Sequence, residues 1–294
     1  MLADEEALIE APGEPEKPSR AVREQDAPVR HGGAATEIVQ GVQRGSLWLN
    51  EAVASHANGA TQLSDRAAGF SSSPPVTELL LDYQVLSNGE PIGRLRTERR
   101  RGWLDDLPVL QVSNRMDLRC SGLWFDYSLQ SDESMDFGAD GLCRYAGVSD
   151  EDGDKTVIKG RLRQGVLTLR LHDGQLEVRR FKQGDFDASS EDAAERFLAG
   201  GQAEATLRVL DLEHFDIDEV RYQRLPDETL DLLGQPRQAR VVAYQSRRRK
   251  ISGTGWYLPD DGGEVLVRQS SRERGDHNEV ILTDWESKPC QIKT

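Results

Sequence analysis

The feature that most constrains this chain is a recurring alternation of apolar and polar residues, broken by very short glycine-containing turns. Phe125, Tyr127 and Leu129 alternate with Asp126, Ser128 and Gln130, the period of a strand with one buried face. Thr77–Leu86 and Pro91–Arg100 flank Ser87-Asn88-Gly89-Glu90 and read as a hairpin, because Asn-Gly supplies the positive φ angles of a tight turn. Asp152-Gly153, Gln164-Gly165 and Asp173-Gly174 break the pattern again. Connections this short leave no room for helical crossovers, so neighbouring strands pair antiparallel.

The same reading places strands at about 108–119, 122–131, 134–145, 155–163, 165–171 and 175–181, then at about 203–210 and 217–224. Four more follow at about 237–246, 251–258, 263–270 and 277–284, making roughly a dozen strands and no internal repeat. A helix is expected from Ser189-Ser190 to Leu198, with a capping serine, early acids and a stop at Gly200-Gly201. A second single helical turn is expected at Asp227–Leu233, ended by Gly234-Gln235-Pro236. The expected fold is therefore mainly β: a large curved antiparallel sheet or half-barrel meander with one or two short helices.

Residues 1–75 have a different texture, rich in Ala, Gly, Glu, Pro and Ser, and this composition buries too little apolar surface to offset chain ordering. They read as a disordered, low-complexity leader, with one helical stripe of Ile38, Val42 and Leu49 near 36–50. Residues 76–290 read as a single antiparallel β-domain.

Charge narrows the partners. The chain carries a net −14 at neutral pH and a pI near 4.9, a field that repels phosphate backbones and speaks against nucleic acid. Two basic runs dissent, Arg96 with Arg99-Arg100-Arg101 and Arg247-Arg248-Arg249-Lys250; both read as solvated hairpin tips, with a phosphate or anionic-lipid contact as the alternative. No apolar run is long enough to cross a membrane as a helix, and no signal-peptide core follows Met1. Two settings follow: a periplasmic or otherwise exported protein whose signal has been removed, or a cytoplasmic one.

Catalytic motifs are missing from the sequence. It has no phosphate-binding Gly-x-x-x-x-Gly-Lys loop, no Gly-x-Ser-x-Gly elbow, no His-Glu-x-x-His and no Cys-x-x-Cys. The three cysteines, Cys120, Cys143 and Cys290, match no zinc spacing; Cys120 and Cys143 fall on neighbouring expected strands, leaving a disulfide and free buried thiols as alternatives. His214, Asp216 and Asp218 would share one face of a strand at 213–220, yet lie about 6.6 Å apart in succession, too far for one metal ion. A solvated face opposite Phe215 and Ile217 explains that alternation. Ser149–Asp154 lacks the spacing and the distal glutamate of a calcium loop and reads as a charged turn. No cofactor and no catalytic residue are assigned.

Three stretches carry a resemblance: Gly89-Glu90-Pro91-Ile92-Gly93, the Phe125-Asp126-Tyr127 strand, and Gly255-Trp256-Tyr257-Leu258-Pro259 through Val265-Leu266-Val267-Arg268. Their order over about 76–285 resembles uncharacterised families of exported bacterial β-proteins related to the lipoprotein-carrier (LolA-like) fold. That resemblance implies a curved sheet around a hydrophobic cavity plugged by helices. Aromatic residues spread through the domain suit either a β core or a wet-edged cavity, and Trp124, Tyr127, Tyr244 and Trp256 are the candidate cavity residues.

The leading expectation is a non-enzymatic protein holding a lipid or other apolar small molecule on the concave face. A cell-envelope interaction or assembly protein, using the leader as a partner-binding tether, is the alternative. An enzyme with an unrecognised site is the third, with Glu177, Glu204, Asp216 and His214 as chemical candidates.

Overall fold

The computed structural model describes residues 77–122, 125–212, 214–260, 263–273 and 275–289. The leader, its expected helix near 36–50, Trp124 and Cys290 lie outside the described residues.

Fifteen strands form one sheet. They are β1 (Thr77–Ser87), β2 (Glu90–Leu104), β3 (Leu107–Gly122), β4 (Phe125–Gly138), β5 (Gly141–Glu151), β6 (Asp154–Arg163), β7 (Val166–His172) and β8 (Leu176–Lys182). After the short β9 (Ala188–Ser189) and the helix α1 (Ala193–Ala199) come β10 (Glu204–Asp211), β11 (Asp216–Leu232), β12 (Gln235–Ser246), β13 (Ile251–Asp260), β14 (Gly263–Glu273) and β15 (Asp276–Pro289). The spatial order runs from β8 down to β1, then β15 down to β9, so the first and last long strands lie side by side at the centre. All pairings are antiparallel except β9 with β10. The mainly-β, curved antiparallel sheet expected from the alternation is the fold observed.

The turns behave as their sequences dictate. Asn88 and Gly89 have φ of 51° and 84°, and Asp152 and Gly153 have 51° and 93°. This left-handed backbone closes a two-residue hairpin at low cost only where Gly, Asn or Asp stands. Because every connection from β1 to β8 and from β10 to β15 is a hairpin, turns alternate between the two ends of the ladder.

Three expectations are corrected. The strand expected at 134–145 is two strands, since Gly138-Ala139-Asp140-Gly141 turns the chain between β4 and β5. The helical turn expected at Asp227–Leu233 is the far end of β11: a register shift between Leu225 and Glu228 absorbs Pro226, and Leu233-Gly234 make a positive-φ turn. The remaining helix starts later than expected, with Asp192 rather than a serine at its N-cap.

The sheet coils upon itself. Leu210 and Leu212, beside one edge, pack with Val112, Met135, Phe137, Leu142, Tyr145, Leu167 and Leu169 from the inner face of β3–β7. Val209, facing the other way, packs with Phe197 of α1 and with Val220, Tyr222, Val242 and Tyr244. The edge at β9–β10 is thus covered on both faces. A third cluster joins Leu79, Leu81 and Tyr83 of β1 to Leu118, Tyr127 and Leu129, and to Leu258, Val265, Val267 and Leu282. Each fully buried large side chain contributes roughly 1.5–3 kcal/mol of transfer free energy, so the coil is held by apolar burial along its length. The outer edge, β8, stays open; Arg179, Arg180 and Lys182 there oppose pairing with an identical strand.

Candidate functional site

Inside the coil, α1 and the segment before it act as a polar plug. Ser189 donates from its backbone N–H and its hydroxyl to Asp192 Oδ1, both at 2.7 Å, while Arg196 binds the other carboxylate oxygen. Burial pushes the Asp192 carboxyl up, against the pull of Arg196 and Ser189. From β2, the buried Arg99 donates through Nη1 to the Glu264 carbonyl at 2.6 Å and sets Nη2 3.6 Å from Glu195 Oε1 on α1. The Glu264 carboxylate is in turn held by Arg240 of β12, although burial still raises its pKa. Tyr83 reaches over β15 to donate its hydroxyl to the Leu266 carbonyl at 2.8 Å, and burial raises its phenol strongly. This network ties β1, β2, β12, β14 and α1 together across the concave face.

At the end of the ladder that carries the β11–β12 turn, a pocket of about 510 Å³ opens to solvent. Leu232, Leu233, Leu258, Pro259 and Trp285 give it an apolar wall, with Gln235, Arg237 and Gln238 at its polar side. Leu232 and Trp285 also pack on the largest apolar cluster, and Leu258 belongs to it, so the pocket is continuous with the core. Leu233 is 51% exposed, unusual for a leucine beside such a wall.

Of the candidate cavity aromatics, the described Tyr127, Tyr244 and Trp256 do not line this pocket. Tyr127 is buried in the cluster around β1, and Tyr244 in the cluster around α1, where its hydroxyl accepts from Gln269 Nε2 at 2.6 Å. Trp256 sits at the margin, donating from Nε1 to Glu228 at 2.9 Å under the guanidinium of Arg268, 5.1 Å from its ring centre. The pocket's own leucines gave little signal, because Leu232-Leu233 before Gly234-Gln235-Pro236 mimics a helix end.

Two separate sequence signals meet in one ion cluster. Arg249, from the second basic run, lies 2.9 Å from Asp211 and 2.6 Å from Asp216, with Asp218 at 3.7 Å. Only 13% of the Arg249 side chain is exposed, and Asp218, bound also by Ser246, is buried. The solvated-tip reading holds for Arg247, Arg248 and Lys250, which are exposed in the turn after β12, and fails for Arg249; the solvated-face reading fails for Asp218, which is buried. Phe215 and Ile217 do pack inward, as the alternation implies, but His214 stands in the turn, with Nδ1 3.2 Å from Asp211. Burial would raise the Asp211 pKa; His214 and Arg249 outweigh it and hold the carboxyl below its usual value. Among the described residues, no group of acids, histidines and cysteines is placed to hold a metal ion. Glu204 and Glu177 are surface acids bound to Arg221 and Arg179. Cys120 and Cys143 are free thiols on strands separated by β4. No helix among the described residues is long and apolar enough to cross a membrane.

No protein-family model matches this sequence, and no curated protein is similar to it. Among solved structures, the beta-barrel-like protein of the domain of unknown function DUF1849 from Brucella abortus is similar in fold. The TM-score is 0.52 at 9% identity, over 72% of this chain and 98% of that one.

Proposed function

We propose that this chain is a non-enzymatic binding protein that holds the acyl part of an amphiphile in the pocket between the β11–β12 turn, β13 and β15. The observation that carries the proposal is the apolar wall of Leu232, Leu233, Leu258 and Trp285, open to solvent and continuous with the largest apolar cluster. A ligand site of this kind is a concave apolar surface with a few convergent polar groups, and Arg237 supplies a cation at the mouth for an anionic head group. The curved β scaffold and the sequence resemblance to LolA-like carriers support the same reading. An exported setting belongs to the proposal as well.

The test is native mass spectrometry of the full chain after incubation with a total lipid extract. A retained adduct that vanishes on denaturation, and is missing from a folded Leu233→Asp variant, is the expected result. A folded chain carrying no adduct would count against the reading.

A further inference from the structure

The outer face of β6, β7 and β8 concentrates positive charge in a way that neither basic run in the sequence reveals. Lys159 lies opposite Arg170, which lies opposite Val178; Arg161 lies opposite Thr168, which lies opposite Arg180; Arg163 lies opposite Val166, which lies opposite Lys182. Residues directly opposite in a ladder share a face. The six cations Lys159, Arg161, Arg163, Arg170, Arg180 and Lys182 are therefore side by side, and all are exposed. The intervening residues Leu167, Leu169 and Phe181 point the other way, into the core. No acidic residue occupies that outer face on any of the three strands. In a chain with a net −14, this is a strong local reversal of sign.

Exposed apolar side chains border the cations. Arg161 reaches Asp105 on the β2–β3 turn at 2.7 Å, which holds that turn beside β6. Leu107, which opens β3 after that turn, is 67% exposed, and Leu176 on the open edge is 65% exposed. Asp106 is the turn's other acid.

We propose that this face, with the β2–β3 turn, is a docking surface for an anionic lipid bilayer. Guanidinium and ammonium groups spread over a sheet match a plane of lipid phosphates, and clustered Lys and Arg gain attraction from an anionic leaflet. Leu107 and Leu176 supply the apolar contact that a nucleic-acid backbone would not use. The negative remainder of the protein repels the same membrane, so the field presents this face alone. The surface is independent of the acyl pocket.

The experiment is co-sedimentation of the full chain with vesicles of phosphatidylcholine alone and of phosphatidylcholine with phosphatidylglycerol. Binding is expected only to the anionic vesicles, weakening as salt rises. Reversing Arg163, Arg170 and Lys182 together to Glu, all exposed and without an ion-pair partner among the described residues, should cut the bound fraction roughly tenfold or more. Leu176→Ala should lower it while leaving the salt dependence, and the pocket variant Leu233→Asp should leave it unchanged. Equal binding to both vesicle types, retention by the reversed variant, or binding to a DNA duplex with none to vesicles would overturn the proposal.

Discussion

Arg99 on β2 donates to the backbone carbonyl of Glu264 on β14, a bond that crosses the concave face over the two strands lying between them. A sheet of this length bonds to itself only if it coils, and the coil brings a buried guanidinium within 3.6 Å of Glu195 on the plug helix.

Breaking that pair should be costly. Arg99→Leu removes the guanidinium beside the buried Glu195 carboxylate, a loss expected to be about 3–5 kcal/mol. Arg99→Leu with Glu195→Leu should recover part of it, because the buried charge is then gone from both sides. Urea unfolding of the three proteins measures the coupling; simple additivity would mean that the two side chains do not interact.

Two carboxylates should show opposite pH dependence. Asp211 has its pKa lowered in the fold, so its stabilisation is present above its ordinary value of 3.8 and lost as pH falls through the folded value. The penalty of Asp211→Asn should thus shrink in acid. Glu264 has its pKa raised by burial, so its contribution is present below its ordinary value of 4.5 and lost as pH rises through the folded value. Relative to the parent, Glu264→Gln should gain stability as pH rises above 4.5 through the raised folded value. Denaturant midpoints measured from about pH 2 to about pH 8 test both slopes.

Gly253 has a steric reason to be glycine. A Cβ there would stand 2.4 Å from the Tyr244 hydroxyl and 2.7 Å from the Ser270 carbonyl. Gly253→Ala should cost about 1–3 kcal/mol through overpacking and move the ring that accepts from Gln269. Thermal unfolding, with near-ultraviolet circular dichroism for the tyrosine environment, reads both effects.

Much of this fold is legible in the sequence, and the illegible parts have physical causes. Alternation plus Asn-Gly and Asp-Gly turns marks the hairpins, because local backbone geometry decides them. Gly138-Ala139-Asp140-Gly141 was not marked as a turn, since Phe137 and Leu142 on either side continue an apolar run. Coiling is a long-range effect: nothing near Leu210 in sequence says that it will meet Leu167 and Leu169. The Asp211–Arg249 cluster joins the turn before β11 to the turn after β12, so each half reads as an ordinary charged turn. The basic face is hidden similarly, because alternate positions on three strands interleave its cations with core residues. The acyl pocket depended on Leu232-Leu233 continuing a strand, where the local pattern suggested a helix end.

The most direct test of the acyl-binding account uses Trp285, which lines the pocket wall. The account predicts that a fatty acid brominated along its chain quenches part of the full chain's tryptophan fluorescence, and that this part is absent in a folded Trp285→Phe variant. Quenching that is unchanged by Trp285→Phe, or no quenching at saturating fatty acid, would contradict it.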